Sequence, residues 1–174
     1  MNTEKKQDDV AKSGEDLFQF AIDRGDMNII LDRLPFDRAE KRTALEYEIQ
    51  ILRIIAVGWA IAFFLDNKSL KTPLSSHYWT QIRHFSATLS ASATLTVGTE
   101  IDYFDILKQR LAYYIEALDS AGEIDAPASA IGPAFAGMCG DKHDALAILA
   151  GSKMFVHAIG AVREYLDPAG SVEG

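Results

Sequence analysis

The sequence predicts an all-α protein, an antiparallel bundle of five or six helices around a long central helix. Three observations carry that expectation. The stretch Tyr47 to Leu65, YEIQILRIIAVGWAIAFFL, is apolar for longer than any other part of the chain. Phe104, Leu107, Leu111, Tyr114 and Leu118 recur at helical spacing, as do Ala145, Ile148, Ser152, Phe155, Ile159, Val162 and Leu166. Only one run alternates as a strand would, and no second run exists to pair with it.

The central helix is the strongest element. Leu45, Ile49, Leu52, Ala56, Trp59 and Phe63 form one stripe, and Ile51, Ile54, Ile55, Gly58, Ala62 and Leu65 fill others. A helix apolar on every side needs neighbours on every side. Its uncharged part, Ile54 to Leu65, is twelve residues, too short to cross a bilayer and suited to a buried core helix.

Composition bounds the rest. A chain of 174 residues with 48% hydrophobic and 24% charged residues suffices for one folded core. The expected organisation is a disordered N-terminal tail over 1–14, a single helical domain over 15–167 and a C-terminal tail over 168–174. A net charge of −8 without any Lys/Arg run argues against nucleic acid as a partner. Cys139 is the lone cysteine, and the polar start of the chain lacks the apolar core of an export signal. Together these predict a cytoplasmic protein without a membrane partner.

The elements follow in order. Ser13-x-x-Asp16 resembles a capping box opening the first helix, with Leu17, Phe18, Phe20 and Ala21 behind it and Gly25 as its stop. Asp26 caps a short turn carrying Ile29, Ile30 and Leu34, which Pro35 ends. Asp37-x-x-Glu40 caps the long helix, expected from about Arg38 to Asp66, roughly 40 Å at 1.5 Å per residue. Asp66 to Ser69 breaks it, and Pro73 falls in the loop. Ser75 or Ser76 caps the next helix, whose face is Tyr78, Ile82, Phe85, Leu89 and Ala93.

Ser86 to Val97 alternates polar and apolar over twelve residues, the strand pattern. Helix is the better assignment, because Ala and Ser are poor strand formers and the helical phase runs through from Tyr78. A strand here could pair only with a copy of itself in a dimer. Gly98 is the C′ residue, and Thr99-x-x-Asp102 is a capping box for the helix built on Phe104, which Gly122 ends. Residues 125–140 are marked by Gly and Pro and predict one or two short helices, with Ile131, Phe135 and Met138 inward. Asp141 caps the last helix, and Asp167-Pro168 stops it.

The candidate chemistry is sparse. His77 and His84 are seven apart on one helix face and form a candidate metal pair; His143 and His157 are fourteen apart. No Glu-x-x-His or His-x-x-x-His motif accompanies them, so surface positions explain them more simply. Arg53 interrupts the apolar helix in a polar stripe with Gln50 and Glu46. The simpler reading makes that stripe the one solvated edge, in which case Arg53→Ala leaves folding nearly intact. Turned inward, Arg53 would need Asp102 or Asp105 as partner and, with His84 and His157, would suit an anionic ligand. Gly137 to Lys142 precedes a helix but lacks phosphate-loop spacing. Cys139, among Ala, Gly and Met, reads as a small buried hydrophobe. Glu46 and Glu48 sit on different faces. Ser86, Ala87, Ser90, Ala93 and Thr94 form a small-residue face that suits close packing within the chain or a homodimer seam.

The expectation for function is therefore a non-catalytic helical interaction or regulatory protein, a possible homodimer with an unidentified protein partner and no cofactor indicated. The alternative is a ligand- or metal-binding bundle, possibly an enzyme, using Arg53 and helix-borne histidines around a core cavity.

Overall fold

Every other helix packs on one segment, α3. The computed structural model describes residues 2–37, 39–66, 68–122 and 126–167. They form α1 (Asn2–Ile22), α2 (Gly25–Asp32), α3 (Ala39–Phe64), α4 (Lys71–Val97), α5 (Tyr103–Ser120), α6 (Ala128–Met138) and α7 (Ala145–Leu166). Five helices are long and two, α2 and α6, have 8 and 11 residues. The all-α bundle around a long central helix is what the hydrophobic pattern requires. Ile49, Leu52, Ile54, Ala56, Val57, Ala60 and Ile61 of α3 are fully buried, each large aliphatic side chain contributing about 1.5–3 kcal/mol.

Side-chain pairs fix the directions. Tyr78 of α4 donates its hydroxyl proton to the Ile54 carbonyl, 2.7 Å away, while Leu89 lies near Tyr47 in one cleft, so α3 and α4 run antiparallel. The α5 start returns beside α4, the Tyr103 N–H donating to Ser90 Oγ. The α6 and α7 helices are also antiparallel, with Gly132 against Ser152 and Phe135 against Gly151. The pairs α3–α4, α4–α5 and α6–α7 thus turn back on one another. By contrast α3 and α7 run in the same sense: Lys41 pairs with Asp144 near both starts, and Trp59 meets Phe155 further along both.

Two glycines let the elements close. A Cβ on Gly58 would lie 2.4 Å from Trp79 Cζ2, and one on Gly151 would lie 2.6 Å from the Phe135 ring. Each marks a crossing where a ring occupies the space of a side chain.

Several boundaries differ from the sequence expectation. The helix α1 starts at Asn2, so the stretch expected as a tail over 1–14 is largely helical and Ser13 lies inside α1 rather than capping it. Gly25 opens α2 instead of ending α1, and Asp26 lies in its first turn. Pro73 belongs to the first turn of α4, where a missing N–H costs nothing. The cap position there is Leu70, not Ser75 or Ser76. Asp102 rather than Thr99 is the α5 cap, its carboxylate accepting from the Asp105 N–H at 2.9 Å. Asp144 rather than Asp141 caps α7, accepting from Leu146 and Ala147. In both cases the acid nearest the first apolar residue wins. Ser86 to Val97 is helical, and Gly98 ends it at φ 72°. The long helix α3 ends at Phe64, short of the expected Asp66. Arg38 and Asn67 beside it, Asp125, and the expected tail over 168–174 with Pro168, lie outside the described residues.

Two helices, α3 and α7, are long and apolar enough to cross a membrane, with mean hydropathies of 1.5 and 1.7 over their best windows. The twelve uncharged residues counted from sequence understate this, because α3 tolerates Arg53 within such a window. The burial of α3 by six neighbours accounts for its composition without a bilayer.

Candidate functional site

Arg53 is inside the protein. It is 1% exposed, so the solvated-edge reading is wrong, and its partners are neither Asp102 nor Asp105. Its Nη1–H donates to the Asp23 carbonyl at 2.9 Å and its Nη2–H to Asp26 Oδ2 at 3.2 Å. The guanidinium lies 4.3 Å from the centre of the Phe20 ring, a cation–π contact. The end of α1, the bend after it and the first turn of α2 supply the three groups. Asp23 Oδ1 accepts from the Gly25 N–H at 3.2 Å, which holds this bend and aims the Asp23 carbonyl at Arg53.

His157 of α7 joins the cluster. Its Nε2 lies 3.2 Å from the same Asp26 Oδ2. An ionised carboxylate only accepts, so the ring nitrogen facing it carries a proton. Asp26 is held below its ordinary pKa by the His157 hydrogen bond and then by Arg53, against the opposing effect of burial. Burial lowers the Arg53 pKa and the carboxylates of Asp26 and Asp23 oppose that; an arginine remains cationic regardless. Arg53 and His157 thus converge, as the ligand-binding alternative requires, but on the Asp26 carboxylate, which is 38% exposed and links the buried Arg53 to the exposed His157. Arg53 Nε has no partner within the described residues. Five clefts of about 240 to 460 Å³ mark the surface, and neither Arg53 nor His157 lines any of them.

The other histidines do not join them. His84 is exposed on α4. His77, half-buried, packs on α1 where Gly14 has no side chain, a Cβ there falling 2.3 Å from His77 Cδ2. His143 precedes α7 in the loop, its N–H donating to Asp141 Oδ1. Among the described residues no group of three or more His, Cys, Asp or Glu side chains is placed to hold a metal ion.

A second buried ion pair was not singled out from sequence. Glu48 is 7% exposed and accepts both Arg110 Nε–H at 3.0 Å and Nη2–H at 2.8 Å, the bidentate geometry of a strong pair. This joins α3 to α5. The Glu48 hydrogen bond raises the Arg110 pKa. The signal was available: Glu48 lies three after Leu45 and four before Leu52, and Arg110 three after Leu107 and four before Tyr114. Each is a charge on a core stripe. Tyr114 and Cys139 lie in the same region. Burial raises the Tyr114 phenol well above its usual range and pushes the Cys139 thiol up to about 12. The thiol stays protonated at neutral pH, the behaviour of a buried hydrophobe rather than a nucleophile.

The small-residue face divides. Ser86 is fully buried and Ser90 receives the Tyr103 N–H, so this side packs within the chain. Ala87, Ala91 and Thr94 are open. They line, with Arg83, Glu100 and Asp102, a groove of about 460 Å³.

No family model, no curated protein and no solved structure matches this chain.

Proposed function

We propose that this protein is a non-catalytic helical interaction protein that works through its outer helix faces. One observation carries the reading: the charged side chains on the core faces are engaged with one another. Arg53 is held by Asp23 and Asp26, and Glu48 is held by Arg110. Catalytic and ligand-binding groups ordinarily converge on a concavity, whereas these engage one another, and neither Arg53 nor Glu48 lines any of the clefts described above. Large apolar groups stand at the surface instead. Phe63, 58% exposed, stacks on Trp59 at 4.8 Å, and Leu95 is 88% exposed near the end of α4. Helix faces of this kind suit association with another helix.

The reading includes a reducing cytoplasmic location, supported by the single, half-buried thiol of Cys139. Native mass spectrometry of the purified chain, set against its denatured mass, tests the proposal. The expected native mass is a whole multiple of the chain mass. An excess that disappears on denaturation would reveal a bound small molecule or metal and favour the binding-bundle alternative.

A further inference from the structure

The outer part of α4 is a helix whose own sequence does not account for it. Its last buried residue is Ser86. The residues from Ala87 to Val97 continue it for about 16 Å at 1.5 Å per residue. This stretch, ATLSASATLTV, is rich in Ser and Thr, which form helices poorly, and an isolated helix this short is marginal even in alanine-rich sequence. Only Leu89, Ser90 and Ala93 of it are half-covered. Leu95 is 88% exposed and Val97 69%.

The three threonine hydroxyls along it are already satisfied within the helix. Thr88 donates to the His84 carbonyl, Thr94 to Ser90 and Thr96 to Ser92. Such back-bonded side chains turn their methyl groups outward and leave no donor to desolvate when another helix approaches. Ala87, Ala91 and Leu95 follow one another every four residues and share one face.

The charges at the two ends of this face are opposite. Arg83 stands eight residues before Ala91, and Glu100 stands nine after it, past the end of α4, while Asp102 caps α5 beside Ser90. All line the same groove as Ala87, Ala91 and Thr94. Arg83 lies 5.1 Å over the Phe104 ring, and neither it nor Glu100 has an ion-pair partner within the described residues. A face with a cation at one end, a carboxylate at the other and small residues between is complementary to itself in the antiparallel sense.

We infer that the outer half of α4 is the contact surface for a second copy of this chain, the two α4 helices crossing antiparallel near Ala91 with Arg83 of each copy facing Glu100 of the other. This rests on the interaction reading above and names the partner. A two-fold contact is self-complementary by symmetry, so a residue at the crossing meets its own counterpart.

The test uses the full chain in a Cys139→Ala background. Ala91→Cys is expected to give a disulfide-linked dimer on mild oxidation at micromolar concentration, while Lys153→Cys, on the outer face of α7, is not. Arg83→Glu is expected to weaken association at least tenfold, and Arg83→Glu combined with Glu100→Arg to restore it. A chain that sediments as a monomer throughout the micromolar range, or a dimer untouched by Arg83→Glu and not linked through Ala91→Cys, overturns the inference. Neither result bears on whether the purified chain carries a bound ligand, which the native mass reads separately.

Discussion

Arg53 is the residue on which two readings of this chain part. Sequence places an arginine amid apolar neighbours but does not say what faces it, and the partners lie 30 and 27 residues away on an unrelated helix boundary. Periodicity reports which face a residue occupies, not what stands opposite. The same gap hid the Glu48–Arg110 pair, whose members are 62 residues apart. Removing one member of a buried pair leaves an uncompensated charge, which costs about 3–5 kcal/mol. Arg53→Ala leaves Asp26 with His157 and with solvent, so its cost comes from lost hydrogen bonds, the Phe20 contact and a cavity. Urea denaturation is expected to show a loss of about 2–5 kcal/mol, in the range of large-to-small core changes; a change below about 0.5 kcal/mol, the size of a neutral surface substitution, would contradict the burial. Asp26 has a pKa lowered in the folded state from its ordinary 3.8. Its contribution is present above that value and is lost as pH falls through the lower folded pKa. Asp26→Asn is therefore expected to flatten the acid limb of the stability profile below about pH 4, and an unchanged profile would mean that the carboxylate gains nothing from His157 and Arg53.

At the scale of the helix, the legible part of the sequence was its period and the illegible part its ends. The stripes of α3, α5 and α7 gave their faces and approximate spans, because burial of apolar groups dominates the energetics of an element. Caps are decided by differences of about 1 kcal/mol between neighbouring Ser, Thr and Asp residues, so Thr99 lost to Asp102 and Asp141 to Asp144. Ser86 to Val97 was the one run with two patterns, and helix prevailed because its inner face, Ser86 with Tyr78 and Ile82, already packs on the core. Close crossings make the glycines unequal. Gly151→Ala would place its Cβ 2.6 Å from the Phe135 ring, and overpacking of this kind costs typically about 1–3 kcal/mol. Gly160, in the same helix, has nothing within 4 Å of an added Cβ, so Gly160→Ala is expected to stabilise by up to about 1 kcal/mol from helix propensity alone. Thermal unfolding of the two variants reads both signs; equal shifts would contradict the α6–α7 crossing.

At the scale of the molecule, the bundle covers most of α3, leaving Phe63 and Tyr47 at the surface, while α7 is more open, with Val156 and Leu149 exposed. The buried charges tie α3 to the α1–α2 bend, to α5 and, through Asp26, to α7. They act as braces between helices, and the proposed reading assigns recognition to the surface. The sequence already offered part of that surface as the small-residue face from Ser86 to Thr94; its threonines count as polar, yet Thr88, Thr94 and Thr96 bond their own helix. Sedimentation velocity of the full chain beside its Ala91→Glu variant tests this most directly. Ala91 is exposed, so the substitution leaves the core intact. The expected result is a dimer for the unaltered chain and a monomer for Ala91→Glu, with the same thermal unfolding midpoint at low concentration. A monomer in both, or a dimer in both, would contradict an α4-mediated pair.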